Sequence, residues 1–148
     1  MFSAVQGSFN RFPNITGMAP NLTQVVSSID FSSQPGYWSN NISADFWAAV
    51  FTGNIYLPVA GLWRFSLVSD DGSLLYIDGA IVINADGNHA NVTTNSRRVN
   101  LTAGYHSIEV DYCNIGGMAS LHLLWKGPNA TTYSVRAHPC PKNKTQMQ

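Results

Sequence analysis

Leu62-Trp63-Arg64-Phe65-Ser66-Leu67-Val68-Ser69-Asp70-Asp71-Gly72-Ser73-Leu74-Leu75-Tyr76-Ile77-Asp78-Gly79 holds two apolar runs, an acidic turn between them and an Asp-Gly pair at its end. In the first run, apolar and polar residues alternate, as in a strand with one buried face. Asp78-Gly79 is the two-residue signal of a type I′ hairpin, so the second run should fold back onto residues 80–84. The same reading extends outward in both directions. Alternating β-branched and aromatic runs bounded by Gly, Pro or Asn predict strands over 29–31, 44–55, 61–68, 73–77, 80–84, 95–101, 104–113 and 119–125. A short helix is expected only within 14–28. The chain therefore reads as all-β, an antiparallel sandwich or barrel.

At 148 residues the chain fits one domain, with no repeat or linker dividing it. Charged residues are scarce at 11%, against 45% hydrophobic, and eight acidic residues balance eight basic ones. No basic stripe marks a nucleic-acid partner, and Arg97-Arg98 is the only adjacent basic pair. No run of about 18 apolar residues is present to insert into a membrane. The first seven residues lack the basic and apolar regions of a secretory leader, so a secreted protein would appear here in mature form or as a fragment with an added initiator Met.

Secretion has a signal of its own. Asn-x-Ser/Thr occurs at Asn14, Asn21, Asn41, Asn91, Asn100, Asn129 and Asn143, where the composition would place about two by chance. Such density implies an extracellular or cell-surface glycoprotein. Two cysteines, Cys113 and Cys140, could then pair, closing a loop of about 28 residues worth on the order of 3–4 kcal/mol. Cys113 shares the parity of Glu109 and Asp111, which places it on the outer face, within reach of a C-terminal tail. No activating group suggests a catalytic thiol.

Asp70-Asp71 is the most charged point in a chain with few acids. Two converging carboxylates repel one another and call for a cation, and hard oxygen ligands favour calcium. A solvated polar turn remains the alternative reading. Other catalytic constellations are missing from the sequence. His89, His106, His122 and His138 have no metal-ligand spacing, and His89 is expected to make structural hydrogen bonds. Glu109, the only Glu, has no obvious facing partner for glycoside hydrolysis. Of the four tryptophans, Trp38 in Pro35-Gly36-Tyr37-Trp38-Ser39 is the best loop-borne candidate for a sugar platform; the others read as core.

Further motifs form an ordered set. The run Asp45-Phe46-Trp47-Ala48-Ala49-Val50-Phe51-Thr52-Gly53-Asn54-Ile55-Tyr56-Leu57-Pro58-Val59-Ala60-Gly61 leads into the opening stretch. Val82-Ile83-Asn84-Ala85-Asp86-Gly87-Asn88-His89, Leu101-Thr102-Ala103-Gly104-Tyr105-His106 and Gly116-Gly117-Met118-Ala119-Ser120-Leu121-His122-Leu123-Leu124-Trp125 follow. Together they resemble the PA14 domain family, with motifs in family order over about 25–125. Residues 126–148 are then a C-terminal extension, tied back by the Cys113–Cys140 disulfide.

The resemblance implies a PA14-type β-sandwich and a non-catalytic, calcium-dependent carbohydrate-binding role of the flocculin or adhesin type. In the sugar-binding members the aspartate pair is joined by a cis peptide, which lets consecutive side chains aim at one ion. The resemblance implies that Asp70, Asp71 and Asn114 hold Ca2+, and that these three and Gly116 meet the glycan. Asp111 is nearby, but its strand parity disfavours it as a ligand. The expected partners are cell-surface or matrix glycans, with the domain carried by a larger multidomain adhesin. A protein-interaction or spacer module with no sugar site is the alternative.

Overall fold

In a computed structural model, residues 1–7, 9–15, 17–35, 38 and 45–135 are described. All regular structure among them is strand. A six-stranded antiparallel sheet contains β1 (Phe2–Gln6), β2 (Leu22–Gln24), β4 (Trp47–Leu57), β6 (Ser73–Ile77), β7 (Ala80–Ala85) and β10 (Gly104–Asn114), in the order β2-β1-β4-β10-β6-β7. The facing sheet runs β3-β11-β5-β8, from β3 (Asp30–Pro35), β11 (Met118–Lys126), β5 (Gly61–Asp70) and β8 (Val92–Asn95). β9 (Val99–Leu101) pairs with β5 beyond β8. The expected sandwich is the fold.

Strand alternation explains the core. Trp47, Ala49, Phe51, Ile55 and Leu57 of β4 point inward with Val110 and Tyr112 of β10. Trp63, Phe65 and Leu67 of β5 and Leu121 and Leu123 of β11 meet them from the other sheet. Each such large side chain contributes roughly 1.5–3 kcal/mol by leaving water. The hairpin reading also holds. Asp78 and Gly79 both have positive φ (50° and 77°), as a type I′ turn requires. The Asp78 carboxylate also accepts from Ser107 N (2.9 Å) and pairs with His106 Nδ1 (2.6 Å). These bonds lock the hairpin tip onto β10.

Three expectations change. The helix expected in 14–28 does not form among the described residues; this stretch contains β2, whose Leu22 pairs with Ala4. The strand expected over 95–101 is two strands. Ser96 breaks it because its buried hydroxyl accepts from Phe65 N (2.9 Å) and donates to the Arg97 carbonyl (2.6 Å), competing with ladder bonding. Cys113 has the expected parity but is fully buried, because Phe9, Phe12 and Ile15 cover that part of the outer face. Among the described residues its thiol has no disulfide partner, and burial and then the Asp86 charge push it up to about 12; Cys140, its expected partner, lies outside the described residues.

Candidate functional site

Two chain crossings between the sheets lie side by side at one end of the sandwich. Asp70 ends β5 in one sheet, and after only two intervening residues Ser73 begins β6 in the other. The loop 115–117 returns the chain from β10 to β11. Asp71 ties the crossings together. Its Oδ2 accepts from Ile115 N at 2.7 Å and, at 3.4 Å, from Gly116 N. Its Oδ1 accepts from His89 N (3.2 Å), in the connection from β7 to β8. Asp71 is only 3% exposed, so these amides take the place of water around its charge.

Asp70 is the outer member of the pair, half-buried, and the peptide bond joining it to Asp71 is cis, as expected. The Tyr112 hydroxyl donates to the Asp70 carbonyl and fixes that peptide from the core side. Burial and then the Asp71 charge hold the Asp70 carboxyl above the usual range, opposed by His89 and the Asn91 N–H. The His89 ring is fixed through both nitrogens, Nε2 to the Ala85 carbonyl (2.8 Å) and Nδ1 to that of Ala90 (2.9 Å), the structural role expected of it.

Asn114, the last residue of β10, is fully buried opposite Trp47 of β4, while Gly116 is exposed at the loop tip. The structure thus brings Asp70, Asp71 and the loop carrying Asn114 and Gly116 to one place. No three His, Cys, Asp or Glu side chains converge on an ion among the described residues. The donors are two carboxylates and an amide, all hard oxygens, and Asp71 Oδ1 keeps a lone pair beyond its single hydrogen bond. This donor chemistry fits calcium, whose shell would need neutral oxygens to fill it.

Gly72 is required by close approach. A Cβ there would lie 2.7 Å from Gly87 N, 2.9 Å from Gly87 O and 2.8 Å from Cys113 Sγ. Gly72→Ala should therefore force this crossing apart, costing about 1–3 kcal/mol, read as a lower midpoint in thermal unfolding. An unchanged midpoint would show that the Gly87 loop yields freely.

Two site features escape sequence reasoning. Asp45 accepts from Gly117 N (3.1 Å) and so pins the same loop from two residues ahead of β4. Next to it, Phe46 holds a left-handed φ of 57° and is 44% exposed. Both stood in a legible motif, but nothing in their spacing aimed them at the loop. Trp38 is corrected: it stacks on Phe31 (4.2 Å) and Tyr112 (4.7 Å) and meets Trp47 edge-on, so it plugs the core.

Fold and site define a β-sandwich domain with an aspartate pair at one end. The PA14 domain model matches residues 8–138, and the chain belongs to that family. The match is wider than the 25–125 legible from motifs, and β2 and the strap over Cys113 fall inside it. A curated relative is the anti-sigma-I factor RsgI3 of Acetivibrio thermocellus, 25% identical over 104 residues, 70% of this chain and 16% of that protein. The chain spans about one sixth of that relative's length. Among solved structures, the PA14 domain of the antifreeze protein MpAFP superposes with a TM-score of 0.79 at 16% identity, over 90% of this chain and 83% of that one. A PA14 sugar-binding domain from an RTX adhesin gives 0.78 at 21%, over 91% and 92%. At these identities the structural likeness establishes the fold.

Proposed function

We propose that this chain is an extracellular, non-catalytic carbohydrate-binding domain whose sugar site is built on calcium held by Asp70, Asp71 and Asn114. The observation that carries this reading is Asp71, whose carboxylate joins the aspartate pair to the amides of Ile115 and Gly116. It makes one rigid rim from two loops. When bound, calcium would offset the paired negative charge and offer coordination positions to vicinal sugar hydroxyls. Asp70 would face the ion from the solvent side, Gly116 would leave room for the sugar, and exposed Phe46 would offer it an apolar surface. The sugar-binding PA14 domain of the RTX adhesin supports this reading. Asn14, Asn21, Asn91, Asn100 and Asn129 are all exposed, as glycosylation of an extracellular protein requires; Asn41 and Asn143 lie outside the described residues. Such shallow polar sites bind weakly one at a time, so display in many copies on a larger protein would supply avidity. Among the described residues no helix is long and apolar enough to cross a membrane.

The similarity to RsgI3 favours a second reading, an interaction or spacer module of a larger protein with no sugar site. A glycan array probed with and without chelator separates the two. Binding that needs calcium and disappears in Asp70→Ala, with the unfolding midpoint kept, supports the lectin. No glycan binding but a midpoint raised by calcium leaves a structural ion in a spacer. Neither effect would sink both calcium readings.

A further inference from the structure

The outer face of the six-stranded sheet carries a second concavity, independent of the aspartate pair. The strap Phe12–Ile15 packs against Cys113, and a cavity of about 400 Å³ opens between the strap and strands β6 and β10. Three carboxylates line it, those of Asp86, Glu109 and Asp111, with the Tyr76 hydroxyl. Among the described residues no Lys, Arg or His lines it. Asp111 is 5% exposed, and its Oδ1 is buried without a hydrogen-bond partner, while Tyr76 hydrogen-bonds the same carboxylate. A buried acceptor left unpaired costs free energy, and a cationic donor would satisfy it.

The walls say which cation. Phe12 and Leu74 give the cavity an apolar surface beside the acids, suited to a methylene chain. The three carboxylates stand around an open space that is partly apolar, which suits an organic cation better than a compact ion that draws all its oxygens to one point. An ammonium group has three donors, which matches acceptors spread around a cavity. We infer that this pocket binds a primary alkylammonium group on an apolar stem, as carried by a lysine side chain or a polyamine. Asp111 and Tyr76 accept the ammonium at the base, Glu109 and Asp86 supply charge at the mouth, and Phe12 covers the stem.

Titrating the 15N-labelled full chain with n-pentylammonium chloride tests this, with sodium chloride and 1-pentanol as controls. Saturable shifts of the Leu74–Tyr76 and Glu109–Asp111 amides are expected from the amine alone. Glu109→Gln, at an exposed position, should weaken binding about tenfold, Asp111→Asn at least as much, and Asp70→Ala not at all. Linear shifts without saturation would overturn the assignment. So would an equal response to pentanol or sodium, unchanged affinity in Glu109→Gln, or saturation of these same amides by calcium chloride in the Asp70→Ala variant. Repeating the titration with Nα-acetyl-lysine N-methylamide and with spermidine assigns the source: the tighter ligand names it, and saturation by either supports the shared ammonium chemistry.

Discussion

Asp71→Ala is expected to lower stability by about 3 kcal/mol, whereas Asp70→Ala should cost less than about 1 kcal/mol. The two carboxylates are neighbours, yet their surroundings differ. Asp71 is buried and accepts amides from three residues in two loops, so its removal leaves the buried Ile115 N–H, now 2.7 Å from a carboxylate oxygen, without an acceptor. Hydrogen bonds to charged groups contribute roughly 1.5–3 kcal/mol each, and the orphaned donor adds its own desolvation penalty. Asp70 is half-buried, and its carboxyl is held in the harder-to-ionise direction by burial, so its loss relieves as much as it removes. Thermal unfolding of both variants in chelator checks the contrast, with a drop of roughly 10 °C expected for Asp71→Ala. Equal midpoints would refute the view that Asp71 is the structural member and Asp70 the ligand-facing one.

Asp111→Asn should act in the opposite direction and make the protein more stable above neutrality. Burial, and then the Glu109 charge, raise the Asp111 carboxyl from 3.8 to about 6. A carboxyl raised on folding binds its proton more tightly in the folded chain, so the folded state loses stability as pH rises from the unfolded value through the folded one. Below about pH 4 both states are protonated, and the variant should match the parent. Between about pH 4 and 6 the gap opens, and above this interval the variant should lead by up to about 3 kcal/mol, the raised value expressed as free energy. Urea titrations at about pH 4 and about pH 7.5 give the comparison. A gain of the same size at both pH values would place its origin in packing, not ionisation.

The centre of the fold was legible because its strands alternate cleanly. In β4 the inward series from Trp47 to Leu57 keeps one parity across eleven residues, and in β5 Trp63, Phe65 and Leu67 do the same. β6 matches its expected limits because Gly72 and Asp78-Gly79 punctuate it on both sides. The edges were not legible. β2 has three residues and no buried face, and it exists because Ala4 and its neighbours offer it a ladder, which local sequence does not encode. The strap over Cys113 was missed for a related reason. Parity tells which side of a sheet a residue takes, and only tertiary packing tells whether that side meets water. Of the site, the aspartate pair and its bond geometry came from motif order. The grip of Asp71 on Ile115, 44 positions away, and of Asp45 on Gly117, 72 away, depends on how two distant crossings meet.

Those crossings have a mechanical consequence. The two sheets face one another mainly through side chains, an interface that resists compression well and sliding poorly. Asp71 laces the crossing after β5 to the one after β10, like a clasp sewn across the seam of two layers. Traction that drives one layer past the other would load this clasp before the aromatic centre begins to shear. Whatever fastens the paired carboxylates therefore also sets how much pull the domain bears before its layers part.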